Sequence, residues 1–83
     1  MDYDRDAVGR AIRKFRNEKG LTQEVCSGLA GIARSHLAMI EVGSKQPNLE
    51  TIWKIASALK IPPHELVKYI EAEMERPAEP RNS

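Results

Sequence analysis

The stretch LTQEVCSGLAGIARSHLAMIEVG, residues 21–43, decides the fold. Thr22 is an N-cap residue type, and the run through Gln23, Val25, Cys26 and Leu29 keeps helical spacing until Gly31 stops it. A second helical run follows almost at once, from about Ala33 to Val42, with Leu37 and Ile40 inward and Gly43 at its end. Only Ala30-Gly31-Ile32 separates them, so two short helices must cross steeply. Gly28, inside the first of the pair, costs about 1 kcal/mol relative to alanine and marks that helix as marginal.

On the N-terminal side, Val8, Ala11, Ile12 and Phe15 form one stripe of a helix from about Asp6 to Lys19, with Asp4 or Asp6 as cap and Gly20 at its end. Its far side is basic: Arg10, Arg13, Lys14, Arg16 and Lys19 share that stretch with one acid, Glu18. On the C-terminal side the polar loop Ser44-Lys45-Gln46-Pro47 leads to Asn48, cap of a fourth helix carrying Leu49, Ile52, Ile55, Ala56 and Leu59. Ile61-Pro62-Pro63 breaks it, and Pro63 opens a fifth helix to about Met74, with Leu66, Val67, Ile70 and Met74 as its apolar residues. No stretch alternates with period two over five residues, so the expected class is all-α, with five helices in one domain over residues 1–76. Residues 77–83 hold two prolines and no large apolar side chain and are expected to form a disordered tail.

With 83 residues the chain has room for one compact core, which excludes multidomain enzymes. Its 41% apolar and 30% charged content is that of a globular protein, and a single cysteine permits neither an internal disulfide nor a zinc cluster. No run approaches the roughly 20 apolar residues of a membrane span, and the acidic start MDYDRDAVGR is no signal peptide, so a cytoplasmic protein is expected. Net charge is +1, but residues 1–60 carry ten basic and seven acidic side chains against three and five in 61–83. Charge therefore permits a nucleic-acid partner without requiring one. Two distant histidines, His36 and His64, an inward Cys26, no glycine-rich phosphate loop and no carboxylate pair leave nothing from which to assemble a catalytic or metal site. No enzymatic activity, cofactor, metal or small-molecule ligand is expected.

A short helix, a three-residue turn containing glycine and a second short helix make a helix-turn-helix unit, whose second helix enters the major groove in DNA-binding proteins. Leu21-Thr22-Gln23-Glu24, Ala30-Gly31-Ile32, Arg34-Ser35, Ile40-Glu41-Val42-Gly43, Pro47 and Leu49-Glu50-Thr51 together resemble the Cro and repressor-like (Xre-type) family of bacterial and phage regulators. Several separated landmarks agree in spacing over about residues 8–70, which makes the resemblance specific.

The resemblance implies a lambda-repressor-like five-helix domain that binds double-stranded DNA. It places base-reading side chains at Ala33, Arg34, Ser35 and Met39, opposite Leu37 and Ile40. Arg34 is the sharpest of these, because a guanidinium donates two bonds to guanine O6 and N7. Met39 can pack on a thymine methyl or fill the core edge. Gln23 is expected to clamp the DNA backbone at a helix N-terminus, with Thr22 mostly a cap and His36, together with Ser35 in place of base reading, a phosphate or sugar contact. Lys45, Gln46 and Asn48 lie in the loop that approaches the backbone in relatives, for which a solvated loop is the plain alternative. Arg16 and Glu41 occupy positions that form a partly buried ion pair in many relatives. Ala33 departs from the family's serine or threonine cap, and Cys26 and Ser27 replace leucine and alanine as interior positions.

One recognition helix reads few base pairs, so a homodimer on a palindromic site is expected. Val67, Ile70 and Met74 recur at three and four as a candidate dimer seam, with Trp53 a contributor; a wider stripe on the domain's own core is the alternative. The implied function is a small autonomous transcriptional regulator: a phage repressor, an antitoxin or a restriction-modification controller. A protein-binding adaptor on the same fold is the competing reading, and it would need neither Gln23 nor Arg34.

Overall fold

A computed structural model of the protein describes residues 2–76, and every regular element among them is a helix: α1 Arg5–Glu18, α2 Gln23–Ala30, α3 Arg34–Glu41, α4 Leu49–Leu59 and α5 Pro63–Glu75. The all-α, five-helix expectation holds. The expected tail at 77–83 lies outside the described residues.

Local chemistry accounts for the boundaries. Asp4 caps α1, its Oδ1 accepting from the backbone N–H of Asp6 at 2.9 Å and of Ala7 at 3.3 Å. Arg10 donates to the other carboxylate oxygen at 3.1 Å, and this bond first, the two N–H groups after it, holds Asp4 below the usual carboxylate range. Gly31 ends α2 at φ 72°, a left-handed conformation that reverses the chain within the expected turn. At the end of α4 it is Lys60 that turns left-handed, at φ 58°, before Pro62 forbids continuation.

The core is shared by all five helices: Ile12 of α1, Cys26 of α2, Leu37 and Ile40 of α3, Ile55 and Leu59 of α4 and Leu66 of α5 are fully buried. Helix α2 packs most extensively on α4, and α1 packs on both α3 and α5. The crossing of α1 over α3 is unusually close. A β-carbon at Gly9 would overlap the carbonyl oxygens of Ile40 and Glu41, so only glycine fits there.

In α2 the buried residues are Cys26, Ser27 and Ala30, so Cys26 and Ser27 are interior as expected, while Val25 and Leu29 are exposed. Small side chains let α2 sit close against its neighbours, and its larger apolar residues are left outside. In α5 the inward line is Leu66, Ile70 and Glu73, so the seam Val67–Ile70–Met74 is not one surface. Val67 is 46% exposed, Ile70 is 7% exposed within the core, and Met74 is half-buried against it. Ile70 stands four positions after Leu66 and three after Val67, so it fits either line, and packing on α1 selects the first.

Candidate nucleic-acid interface

Helix α3 presents its outer side to solvent. Ala33, Arg34, Ser35 and Met39 are all exposed, His36 is half-buried, and Leu37 and Ile40 face the core. Of the two readings of Met39, the exposed one describes this structure. The helix starts without a side-chain cap, since Ala33 takes extended backbone angles and offers no acceptor. Its first N–H groups therefore stay available to an incoming phosphate or base edge.

The N-terminus of α2 is capped differently. Thr22 Oγ1 accepts from Val25 N–H at 3.1 Å, leaving the first-turn N–H groups of Gln23 and Glu24 without intrahelical partners. Gln23 is half-buried, and its Nε2 donates to Glu41 Oε1 at 3.1 Å. That carboxylate also receives a two-bond fork from Arg16, Nε to Oε2 at 2.7 Å and Nη2 to Oε1 at 2.8 Å, while Arg16 Nη1 donates to the carbonyl of Leu21 at 2.8 Å. The side chains of Arg16 and Glu41 are 10% and 2% exposed, so this is a buried ion pair whose donors and acceptors are met. The bond to Glu41 first, against the cost of burial, holds the Arg16 proton more firmly than usual. Cys26 lies in the field of this pair, yet burial pushes its thiol up, which makes it a small core residue and a poor nucleophile.

After α3, the carbonyl of Met39 accepts from Ser44 N–H, Lys45 N–H and Ser44 Oγ, closing the helix end. Lys45 is exposed. Gln46 is occupied at both ends: its Oε1 accepts from the Tyr3 hydroxyl at 2.7 Å, and its Nε2 donates to the carbonyl of Arg5 at 3.1 Å. Asn48 caps α4, its Oδ1 accepting from Thr51 N–H and Thr51 Oγ1, both at 2.8 Å. Its amide protons have no partner among the described residues, and both Asn48 and Lys45 are exposed, so they can still reach outward.

The structure thus brings Gln23 and the 44–48 loop to the C-terminal half of α3 and sets Arg34 at the other end, roughly 10 Å away along the helix. This can hold phosphates at one end and read an edge at the other. The clasp of Tyr3 on Gln46 and the link from Gln23 to Glu41 were not legible in the sequence: both are long-range contacts between ordinary polar residues. Gly9 carried a signal, a glycine within an amphipathic helix, and Glu73 another, its spacing from Leu66 and Ile70.

Among the described residues no group of His, Cys, Asp or Glu is placed to hold a metal ion, and no helix is long and apolar enough to cross a membrane.

Comparison with known proteins agrees with this arrangement. A family model described as helix-turn-helix matches residues 12–66. The chain is 36% identical over 63 residues to an uncharacterized HTH-type transcriptional regulator, y4dJ, of Sinorhizobium fredii, covering 76% of this chain and 82% of that one. It is 41% identical over 54 residues to the immunity repressor protein of Bacillus phage phi105, covering 65% of this chain and only 38% of that one. Among solved structures, the restriction-modification controller protein C.AhdI from Aeromonas hydrophila superposes with a TM-score of 0.73 at 40% identity, over 76% of this chain and 96% of that one. With its motif residues, its five-helix fold and these relatives in agreement, the chain belongs to the Cro and repressor-like helix-turn-helix family of DNA-binding transcriptional regulators.

Proposed function

We propose that this protein regulates transcription by inserting α3 into the major groove of a palindromic operator as a homodimer. The observation that carries the reading is the solvent-facing side of α3: Ala33, Arg34, Ser35 and Met39 are all exposed and lie opposite the buried Leu37 and Ile40. Arg34 reads a guanine, Met39 packs on a thymine methyl, and Gln23, Lys45 and Asn48 hold the backbone, with Thr22 and His36 beside them. Gln46 acts one step back, by fixing the loop that carries Lys45.

Self-association falls to exposed apolar side chains of the last two helices, Trp53 and Val67. The second copy doubles the number of bases read. The protein acts by occupancy, without catalysis, in the cytoplasm. The similarity to a controller protein along nearly that protein's whole length favours the small autonomous type of regulator.

The test is selection of bound sequences from a random duplex pool, followed by titration of the winner at two salt concentrations with wild type and Arg34→Ala. A palindromic winner, a steep salt slope and relaxed preference at one position, worth about 1–3 kcal/mol, are expected. No enrichment at low salt overturns the reading. A monomer by light scattering at high concentration removes the dimer.

A further inference from the structure

The basic residues of α1 are not used by this interface. Arg16 is committed to Glu41, and Gly9 and Arg16, seven positions apart, mark the line of α1 that touches α3. Arg10 and Lys14 lie round the helix from that line, toward Glu73 and Tyr69 of α5, and Arg13 stands between the line and them. Phe15 and Tyr69 meet edge to face there, with ring centroids 5.1 Å apart, and Lys14 Nζ stands 5.9 Å over the Tyr69 ring. An open groove of about 510 Å³ runs along this flank, lined by Arg10, Arg13, Lys14, Glu18, Glu73 and Arg76 among others.

The acids of the groove are already engaged. Glu73 is buried, and its Oε1 accepts from Arg10 Nε at 3.1 Å and Arg76 Nη1 at 3.0 Å; Glu18 accepts from the Tyr69 hydroxyl at 3.2 Å. Arg13 has no acidic partner among the described residues, and Lys14 has only the Tyr69 ring. The groove therefore offers unspent positive charge beside an aromatic edge, with fixed negative charges interspersed.

We infer that the groove between α1 and α5 docks an acidic, partly apolar peptide segment of a partner protein, apart from the DNA-reading helix. Its carboxylates pair with Arg13 and Lys14, and an apolar side chain lies against Tyr69. A nucleic-acid backbone fits less well, because Glu18 and Glu73 repel a uniform line of phosphates that a peptide can vary to avoid. Since no residue of α3 lines the groove, the segment and a duplex bind together.

The experiment is fluorescence anisotropy on the full chain at low salt, with a labelled peptide of mixed glutamate and leucine and its counterpart with lysine in place of glutamate. Wild type is expected to bind the first and not the second. Arg13→Glu with Lys14→Glu should weaken the glutamate peptide by about tenfold or more and restore binding to the lysine peptide. Both side chains lie on a solvated helix face; if that variant fails to fold by circular dichroism, Arg13→Ala with Lys14→Ala tests the same loss. A random-sequence duplex completes the design: it should leave peptide binding unchanged and bind the double variant within about twofold of wild type. Absence of peptide binding, displacement of the peptide by duplex, or loss of duplex binding in the variant each overturns the inference, the last two by making the groove a DNA contact.

Discussion

Gln23, at the start of α2, and Glu41, at the end of α3, are joined by a 3.1 Å hydrogen bond, and the oxygen that accepts it also takes 2.8 Å from Arg16. The side chain proposed to hold a DNA phosphate is thus set by an ion pair that ties α1 to α3. Helix packing and interface geometry are coupled through one carboxylate.

Removing that carboxylate leaves the Arg16 guanidinium, itself nearly buried, without a counter-charge. Glu41→Ala should lower stability by about 3–5 kcal/mol in urea denaturation. Replacing both partners, Arg16→Met with Glu41→Leu, should cost less than the sum of the single changes, because no charge is then stranded. An unchanged midpoint for Glu41→Ala would show that the pair contributes nothing.

Two glycines in helices should respond in opposite directions. Gly9→Ala drives a methyl into the carbonyl oxygens of Ile40 and Glu41, pushing α1 off α3, and should destabilise by about 2–3 kcal/mol. Gly28 faces open space, so Gly28→Ala should gain about 1 kcal/mol from helix propensity alone. Thermal melts of the two variants check this: the first falls and the second rises.

The uncapped start of α3 makes a third prediction. Ala33→Ser places an acceptor where the backbone is already extended, at φ −66° and ψ 144°, and should stabilise by about 1 kcal/mol. If those N–H groups serve the duplex, the same change weakens DNA binding while raising the melting temperature, and a titration reads the second effect apart from the first.

Asp4 supplies a pH dependence. Its proton is bound more weakly in the folded than in the unfolded chain, chiefly because of Arg10, so its contribution is present above the ordinary carboxylate range. It is lost as pH falls through that range toward the depressed folded value. Asp4→Asn keeps a capping side chain without the charge. Its stability should match wild type at low pH and fall short as pH rises, a difference that pH-dependent melting resolves.

The five helices, their order and their ends were readable from the sequence because each depends on near neighbours. Helical spacing, the caps Asp4, Thr22 and Asn48, the turn glycine Gly31 and the break at Pro62-Pro63 act over a few residues. The outward placement of Arg34 agreed with the same period, once Leu37 and Ile40 were assigned inward, whereas Met39 suited either the exposed face or the core edge until packing left it outside. What could not be read was the roll of each helix about its own axis, since a stripe with apolar residues on both edges suits two orientations. Packing against α1 turned Leu66 and Glu73 of α5 inward and left Val67 outside; contact with α3 and α4 left Val25 and Leu29 exposed. Partners distant in the chain decided the rest: Tyr3 with Gln46, 43 positions apart, Arg10 with Glu73, 63 apart, and Gly9 against the last turn of α3. Local periodicity and capping chemistry thus determined which segments are helices, whereas only the assembled core, by fixing where the helices cross, decided which of their side chains meet.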